Sequence, residues 1–356
     1  MPATDAEIAT AKENLESHLL EIIDWHFSPE TGCPYWLEFK DREGWDPKIE
    51  IKCFDDLRKF KHFEDDVLRD EPNERFVPKA YEGRPFNVFE TGGTTGLPKQ
   101  RVGWDDYKHD YEQFSETLPE EFFPRGGNWI MVGPTGPRRL RLAVEHLANI
   151  REGSCYFVDL DPRWVKRCIG RKAIEEAEAY QRHVIDQAVA LIKGRNIQCM
   201  FTTPRLLESI AERISLPGYG IKGVFCGGTT MTPQMVRFFV EEVCENQTRF
   251  VPTYGNTLMG LAHSRPLDDS YSVTYYAPQP RAALRVVNTD TDETVPYGTF
   301  GRVELTTLSK EFFVPRFLER DEAERRKPYD SRYPWDGVGD VRPFGSLEKK
   351  VIEGVY

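Results

Sequence analysis

Between Arg139 and Pro252 the sequence alternates helix-like and strand-like segments, and this alternation restricts the fold more than any other feature. Helical patterns over Arg139–Asn149, Lys172–Ile192, Pro204–Ile214 and Pro233–Cys244 precede the short apolar runs Cys155–Val158, Ile197–Phe201, Gly223–Cys226 and Thr248–Pro252. Strands joined by helices run parallel, because each helix carries the chain back along the sheet in a right-handed crossover. The expected class is α/β, with mostly parallel sheets flanked by helices. After about Gly260 the pattern turns to short β-rich segments, Ala283–Val287 and Gly301–Leu305 among them, separated by the turn-rich run Asp290–Gly298. This predicts a smaller β-subdomain appended to the α/β body.

Upstream, Ile8, Ala11, Leu15, Leu19, Ile22 and Ile23 recur at helical spacing from Asp5 to about His26, with Thr4 or Asp5 as N-cap. Phe27–Tyr81 reads as an irregular packing arm with a short helical patch near Phe54–Phe63. The expected organisation is a helix and arm over 1–86, an α/β body over 87–260 and a β-rich part over 261–356. The 47 basic against 58 acidic residues give a net charge of −11, which argues against nucleic acid or an anionic membrane as partner. Seven cysteines without a C-x-x-C pair spell neither a disulfide framework nor a zinc site. The N-terminus lacks a signal-type apolar core, and no stretch approaches the ~20 apolar residues of a membrane span. A cytoplasmic protein is expected.

The chemistry starts at Asn87. A strand-like Asn87–Glu90 leads into Thr91-Gly92-Gly93-Thr94-Thr95-Gly96-Leu97-Pro98-Lys99, and another strand is expected over Asn128–Val132. Three glycines let backbone N–H groups turn inward, two threonine hydroxyls add donors, and Lys99 supplies a charge for a polyphosphate. This is not a Walker loop, which ends in Gly-Lys-Ser/Thr, whereas here Pro98 precedes Lys99 and Gln100 follows. Taken alone, the run also fits a surface turn that carries a lysine.

The run Thr94–Lys99 resembles the phosphate-binding loop of the acyl-adenylate-forming superfamily, and three later segments fall in that superfamily's order. Phe225–Pro233, with Gly227, Gly228 and Thr229, is similar to the glycine turn that lies against the adenine. Thr253-Tyr254-Gly255-Asn256-Thr257 is similar to the segment whose ring packs on the adenine and whose last hydroxyl reaches the α-phosphate. Asp336–Asp340 resembles the segment whose final aspartate holds the ribose hydroxyls. Each has a plainer reading: Gly227-Gly228 as a strand-to-helix turn capped by Thr230 or Thr232, Tyr254 as a core aromatic, Asp340 as a turn carboxylate. Phe201–Leu207 and the run Arg320-Asp321-Glu322-Ala323 are similar to the phenylacetate-CoA ligase and acyl-protein synthetase branches.

The resemblance implies ATP-dependent activation of a carboxylic acid as its acyl-AMP, with Mg²⁺, and transfer to coenzyme A, an amine or a carrier protein. It assigns catalysis to Lys99 and Thr257, and nucleotide binding to Thr94, Thr95, Gly96, Gly227, Gly228, Thr229, Thr253, Tyr254, Gly255 and Asp340. Two departures stand out. Where the family has a Mg²⁺-holding glutamate, this sequence has Leu258, which offers a hard cation nothing. The sequence also runs only sixteen residues past Asp340, so the family's mobile C-terminal domain with its catalytic lysine is expected to be absent. A nucleotide-binding protein without turnover, a fragment of a longer ligase, and an enzyme making an amide from the adenylate are the alternatives. His146 and His183 sit in helical patterns and suit packing or surface roles, while His263 lies nearer the expected site.

Overall fold

The structure, a computed structural model, describes residues 4–91, 97–228 and 230–345. Its strands are β1 (Asn87–Glu90), β2 (Gln100–Gly103), β3 (Asn128–Gly133), β4 (Cys155–Asp159), β5 (Ile197–Thr202), β6 (Gly223–Cys226) and β7 (Arg249–Asn256). They continue with β8 (Gly260–Ser264), β9 (Thr274–Tyr276), β10 (Ala282–Val287), β11 (Phe300–Leu308), β12 (Phe313–Arg326) and β13 (Gly337–Pro343). Eleven of them form one sheet in the order β10-β11-β12-β13-β9-β8-β7-β6-β5-β3-β4. Pairing is parallel from β4 to β7 and antiparallel from β7 to β10. The β-rich half is thus joined edge to edge with the parallel half.

Side chains alternate across the parallel strands, and both faces are covered. Trp129, Met131, Phe201 and Phe225 pack with the helices Asp106–Thr117 and Arg139–Ile150. Ile130, Val132, Met200 and Val224 pack in the other cluster, with the helices Ile174–Gly194 and Pro204–Ala211. The loop carrying Lys99 differs from the expected strand, loop, strand of a parallel sheet. β1 and β2 pair only with each other, antiparallel, as a hairpin outside the large sheet.

The N-terminal helix spans Asp5–His26 and opens with a capping box, in which Thr4 Oγ1 accepts from the Glu7 N–H and a Glu7 carboxylate oxygen accepts from the Thr4 N–H. The arm then docks on the antiparallel half. Trp25 and Trp36 donate their indole N–H groups to the carbonyls of Lys310 and Phe313, each at 3.0 Å. Phe27, Trp36, Phe39 and Phe60 cluster with Phe313, so the arm supplies much of the core that a one-sided sheet needs.

The helix Asp106–Thr117 turns acids inward. Asp106 and Asp110 are buried, where they meet Arg101, Arg139 and Arg281. Arg139 Nη2 lies 2.8 Å from Asp110 Oδ2, and Arg281 Nη2 lies 2.7 Å from Asp110 Oδ1. Burial alone would raise the Asp110 carboxyl, but the two guanidinium groups outweigh it and hold it below its ordinary value. Glu311 accepts from the Trp104 and Asp105 N–H groups, both at 2.7 Å, and fixes the entry to this helix. Gly260 is obligatory beside the network: its φ is +100°, and a Cβ there would lie 2.1 Å from Asp110 Oδ2.

Candidate active site

β6 ends in Cys226 and the turn that follows begins with Gly227. A Cβ on Gly227 would come within 2.8 Å of Thr253 Oγ1, so glycine is what lets this turn lie against β7. Thr253 Oγ1 donates to the Cys226 carbonyl at 3.1 Å and stitches the two strand ends together. Gly228 has a φ of +104°, and Thr232 caps the helix Pro233–Phe238 by accepting from the Met235 N–H. The strand-to-helix turn and the proposed nucleotide wall are therefore the same piece of chain, which is how a phosphate-facing helix entry is commonly made.

Tyr254 is partly buried, and its hydroxyl donates to Asp321 Oδ2 at 2.8 Å. Burial pushes this hydroxyl well above its ordinary range, and the carboxylates of Asp321 and Glu319 push it the same way. Its ring centroid lies 5.7 Å from that of Tyr275, on β9. Tyr275 is in turn placed opposite Val338 of β13, two residues before Asp340. The Tyr275 hydroxyl is raised by burial, with Cys226 and Asp340 adding to the effect, so this ring links the β6 end, Tyr254 and Asp340. Asp340 has a φ of +48° and accepts from Arg326 Nη2 at 3.3 Å. Gly255 is where the β7–β8 hairpin closes up: a Cβ there would sit 2.3 Å from the Gly260 carbonyl oxygen.

Thr94, Thr95, Gly96 and Thr229 lie outside the described residues. Lys99 is buried, with its Nζ 3.1 Å from Asp65 Oδ1 and 4.4 Å from the centre of the Phe317 ring. Asp65 belongs to the arm, whose Arg69 also donates to the Leu97 carbonyl at 3.0 Å. The base of the loop is closed by two bonds between Thr91 and Lys99, main chain to main chain and Lys99 N–H to Thr91 Oγ1, each 3.0 Å. Thr257 Oγ1 donates to the Glu90 carbonyl at 2.9 Å, bringing the end of the Tyr254–Thr257 segment beside the start of that loop.

Three features of this region were not singled out as site residues from the sequence. In β12 the pairing with β11 steps from Leu318 to Glu322 while β11 advances only from Glu304 to Arg302, so Glu319, Arg320 and Asp321 form a bulge. The bulge aims two carboxylates at β7: Glu319 Oε1 accepts from Asn256 Nδ2 at 2.7 Å, and Asp321 accepts from Tyr254. Burial raises the Glu319 carboxyl to about 7, with Asp321 pushing the same way and Lys99 opposing. The only sequence signal for it was the Arg320–Ala323 run. Asn256 is the second feature, since its Oδ1 accepts from the Leu258 and Met259 N–H groups and caps the turn into β8. The third is Arg101, which donates to the carbonyls of Thr257 and Leu258 and so fixes this turn to the buried ion network.

Leu258 is 2 % exposed and belongs to the main apolar cluster, so the position where the family places a metal-holding glutamate does not fit Mg²⁺. Among the described residues one trio, His62, Asp292 and Glu304, has the spacing of a metal site. Arg316 already fills it, donating to Glu304 at 3.0 Å and to Asp292 and lying 2.8 Å from His62 Nε2. His263 is buried with Nδ1 3.0 Å from the Tyr333 hydroxyl, and burial lowers it to about 4, so it stays neutral near pH 7. His146 Nε2 lies 3.0 Å from Glu112 on the neighbouring helix, a surface contact.

Residues 175–306 match the family described as AMP-binding enzyme. The match spans just over a third of the chain. The matched span contains Gly227, Tyr254 and Thr257 and stops short of Asp340. In fold the chain is similar to 2-hydroxyisobutyryl-CoA ligase in its postadenylation state: 13% identity, 97% of this chain and 69% of that one, TM-score 0.69. An open conformation of the same ligase, crystallised with 2-HIB-AMP and CoA, gives 13% identity over 95% of this chain and 70% of that one, TM-score 0.67. No curated protein matches the sequence. Among the described residues no helix is long and apolar enough to cross a membrane.

Proposed function

We propose that this chain is a member of the AMP-binding superfamily and uses ATP to activate a carboxylic acid as its acyl-adenylate. The observation that carries the reading is the convergence, at the ends of β6 and β7, of the Gly227 turn, Tyr254, Thr257 and the base of the Lys99 loop. Open α/β sheets bind nucleotides at the carboxyl ends of parallel strands, and this group stands there.

In the reaction a carboxylate oxygen attacks the α-phosphorus of ATP, a new O–P bond forms, and the bond to the β-phosphate oxygen breaks to release pyrophosphate. The chain's part is alignment and charge. Gly227 and the Tyr254 ring make the adenine wall. Lys99 steadies the leaving phosphates, for which its ammonium exchanges part of its contact with Asp65. Thr257 Oγ1 turns from the Glu90 carbonyl to an α-phosphate oxygen. Asp340 takes the ribose hydroxyls, and Asp321, which already accepts from Tyr254, stands as a second carboxylate at that end. With Leu258 apolar, no step is assigned to Mg²⁺.

The acyl acceptor is proposed to be coenzyme A, as the ligase of similar fold is complexed with CoA and an acyl-AMP. Buried Leu258 favours a second reading, a protein that holds nucleotide and acyl group without turnover. Incubation with ATP and a panel of carboxylic acids separates the two. Acyl-AMP by mass spectrometry with matching pyrophosphate release supports the enzyme, whereas ATP binding without either product across the panel supports the binder.

A further inference from the structure

The ammonium of Lys99 is held by the arm. Phe63 is buried and its N–H donates to the Arg316 carbonyl on β12 at 3.2 Å, while Leu68 is buried and Asn73 Nδ2 donates to Gln100 Oε1 on β2 at 2.7 Å. These anchors fix the turn between them, in which the Asp65 carbonyl accepts from the Leu68 N–H. The Asp65 carboxylate is then divided between two cations: Oδ1 lies 3.1 Å from Lys99 Nζ, and Oδ2 lies 2.7 Å from Arg69 Nη2. Arg69 also donates to the Leu97 carbonyl, two residues before Lys99, so the arm grips both the lysine and its loop. Burial alone would raise the Asp65 carboxyl, but Lys99 and Arg69 outweigh it and hold it below its ordinary value.

The two partners differ in exposure. The Lys99 side chain is 10 % exposed, with the Phe317 ring centre 4.4 Å from its Nζ, whereas that of Asp65 is 39 % exposed. A buried ammonium without a counter-charge is costly, so Lys99 needs an anion at all times. Asp65 does not need Lys99 to the same degree, because water and Arg69 also serve its carboxylate. We infer that Asp65 is a positioning residue that competes with the polyphosphate for Lys99: it holds the ammonium in the empty site, yields it to ATP, and takes it back as pyrophosphate leaves. The inference rests on the ATP-binding reading of the site, and it gives the arm a part in turnover beyond packing. A lysine that always has a second anion at hand binds the leaving group less tightly and lets it go faster.

Titration calorimetry with ATP, AMP and inorganic pyrophosphate tests this on the full chain. Asp65→Asn keeps a hydrogen-bond acceptor for Lys99 but removes the competing charge, and should tighten ATP and pyrophosphate by about fivefold while leaving AMP within about twofold. Asp65→Glu, which keeps the charge, should stay within about twofold of the parent for all three. In a Lys99→Ala background Asp65→Asn should no longer tighten either ligand, since the competition acts through the lysine. Asp65→Ser repeats the measurement with a second neutral side chain, and failure of both neutral variants to fold makes Asp65 structural and overturns the inference. Unchanged or weaker ATP and pyrophosphate binding in Asp65→Asn, or a gain that persists without Lys99, overturns it as well while leaving the nucleotide site standing. A parent chain that binds neither ATP nor pyrophosphate overturns the site reading, and this inference with it.

Discussion

Replacing Leu258 by glutamate restores the side chain that the superfamily uses to hold Mg²⁺, but the structure expects it to damage the fold. Leu258 is 2 % exposed within the main apolar cluster, and loss of its burial costs about 1.5–3 kcal/mol. A carboxyl in that place must be protonated to stay. Bringing a glutamate of ordinary pKa ~4.3 into its neutral form costs about 1 kcal/mol at pH 5 and about 5 kcal/mol at pH 8. Arg101, the cation nearest the turn, is already committed to Asp106 and to the carbonyls of Thr257 and Leu258. The sum is about 3 kcal/mol at pH 5 and about 7 kcal/mol at pH 8, the latter comparable to the whole stability of many proteins. The sign follows from a folded-state pKa raised above the unfolded one: the variant loses stability as pH rises. Urea unfolding at pH 5 and pH 8, with a Mg²⁺ titration of pyrophosphate release near pH 6, measures both effects. A midpoint shift worth less than about 1 kcal/mol at both pH values, together with a lower Mg²⁺ requirement, would refute the buried-core account and support a vacant ligand position.

Glu319→Gln keeps the acceptor for Asn256 but cannot ionise. Since burial raises Glu319 from an ordinary 4.5 to about 7, the parent loses stability as pH climbs through that window, and urea midpoints at pH 8 but not at pH 5 should favour the variant; equal differences at both refute it. Lys99→Ala should lower ATP affinity about tenfold and AMP affinity little, by calorimetry, and equal losses would remove Lys99 from the phosphates. Gly260→Ala meets Asp110 at 2.1 Å in a left-handed backbone, so soluble expression should fall and the unfolding midpoint drop by several kcal/mol's worth; a variant within about 0.5 kcal/mol of the parent contradicts the contact.

The parallel half was readable because it is apolar on both faces: Gly223–Cys226 and the starts of β3 and β5 stand where the runs predicted. The helix Asp106–Thr117 was passed over as a polar segment, and the physical reason is visible. Its buried face mixes Tyr107, Tyr111 and Phe114 with Asp106 and Asp110, which Arg101, Arg139 and Arg281 from elsewhere in the chain neutralise, so charge interrupts the stripe that would have marked it. β12 hid for a related reason, since Glu319–Arg326 is almost wholly charged and becomes a strand only through its neighbours. Within the site, local motifs placed Gly227, Thr253 and Tyr254 on adjoining strand ends. The partners that sequence could not supply are the distant ones: Asp65 on Lys99, Glu90 under Thr257, and the bulge carboxylates on Asn256 and Tyr254.

The position of the site follows from what β7 is asked to do. Its first half, Arg249–Pro252, pairs in parallel with β6, while Thr253–Asn256 pairs antiparallel with β8. β6 has ended by then, so one edge of β7 is released at Thr253, and the Gly227 turn fills the space above the released edge. Backbone groups, a tyrosine ring and a terminal threonine hydroxyl are thereby presented together at a strand end, where a parallel sheet leaves room for a nucleotide. The antiparallel strands that follow are not a separate ornament, because they return β12 and β13 to that same end and deliver Asp321 and Asp340 on irregular backbone, a bulge in one case and a φ of +48° in the other. Regular strands would have pointed alternate side chains away from the end of β7. The register breaks are what bring both carboxylates to that end, and the parallel-to-antiparallel change in β7 is what makes a place for them to point.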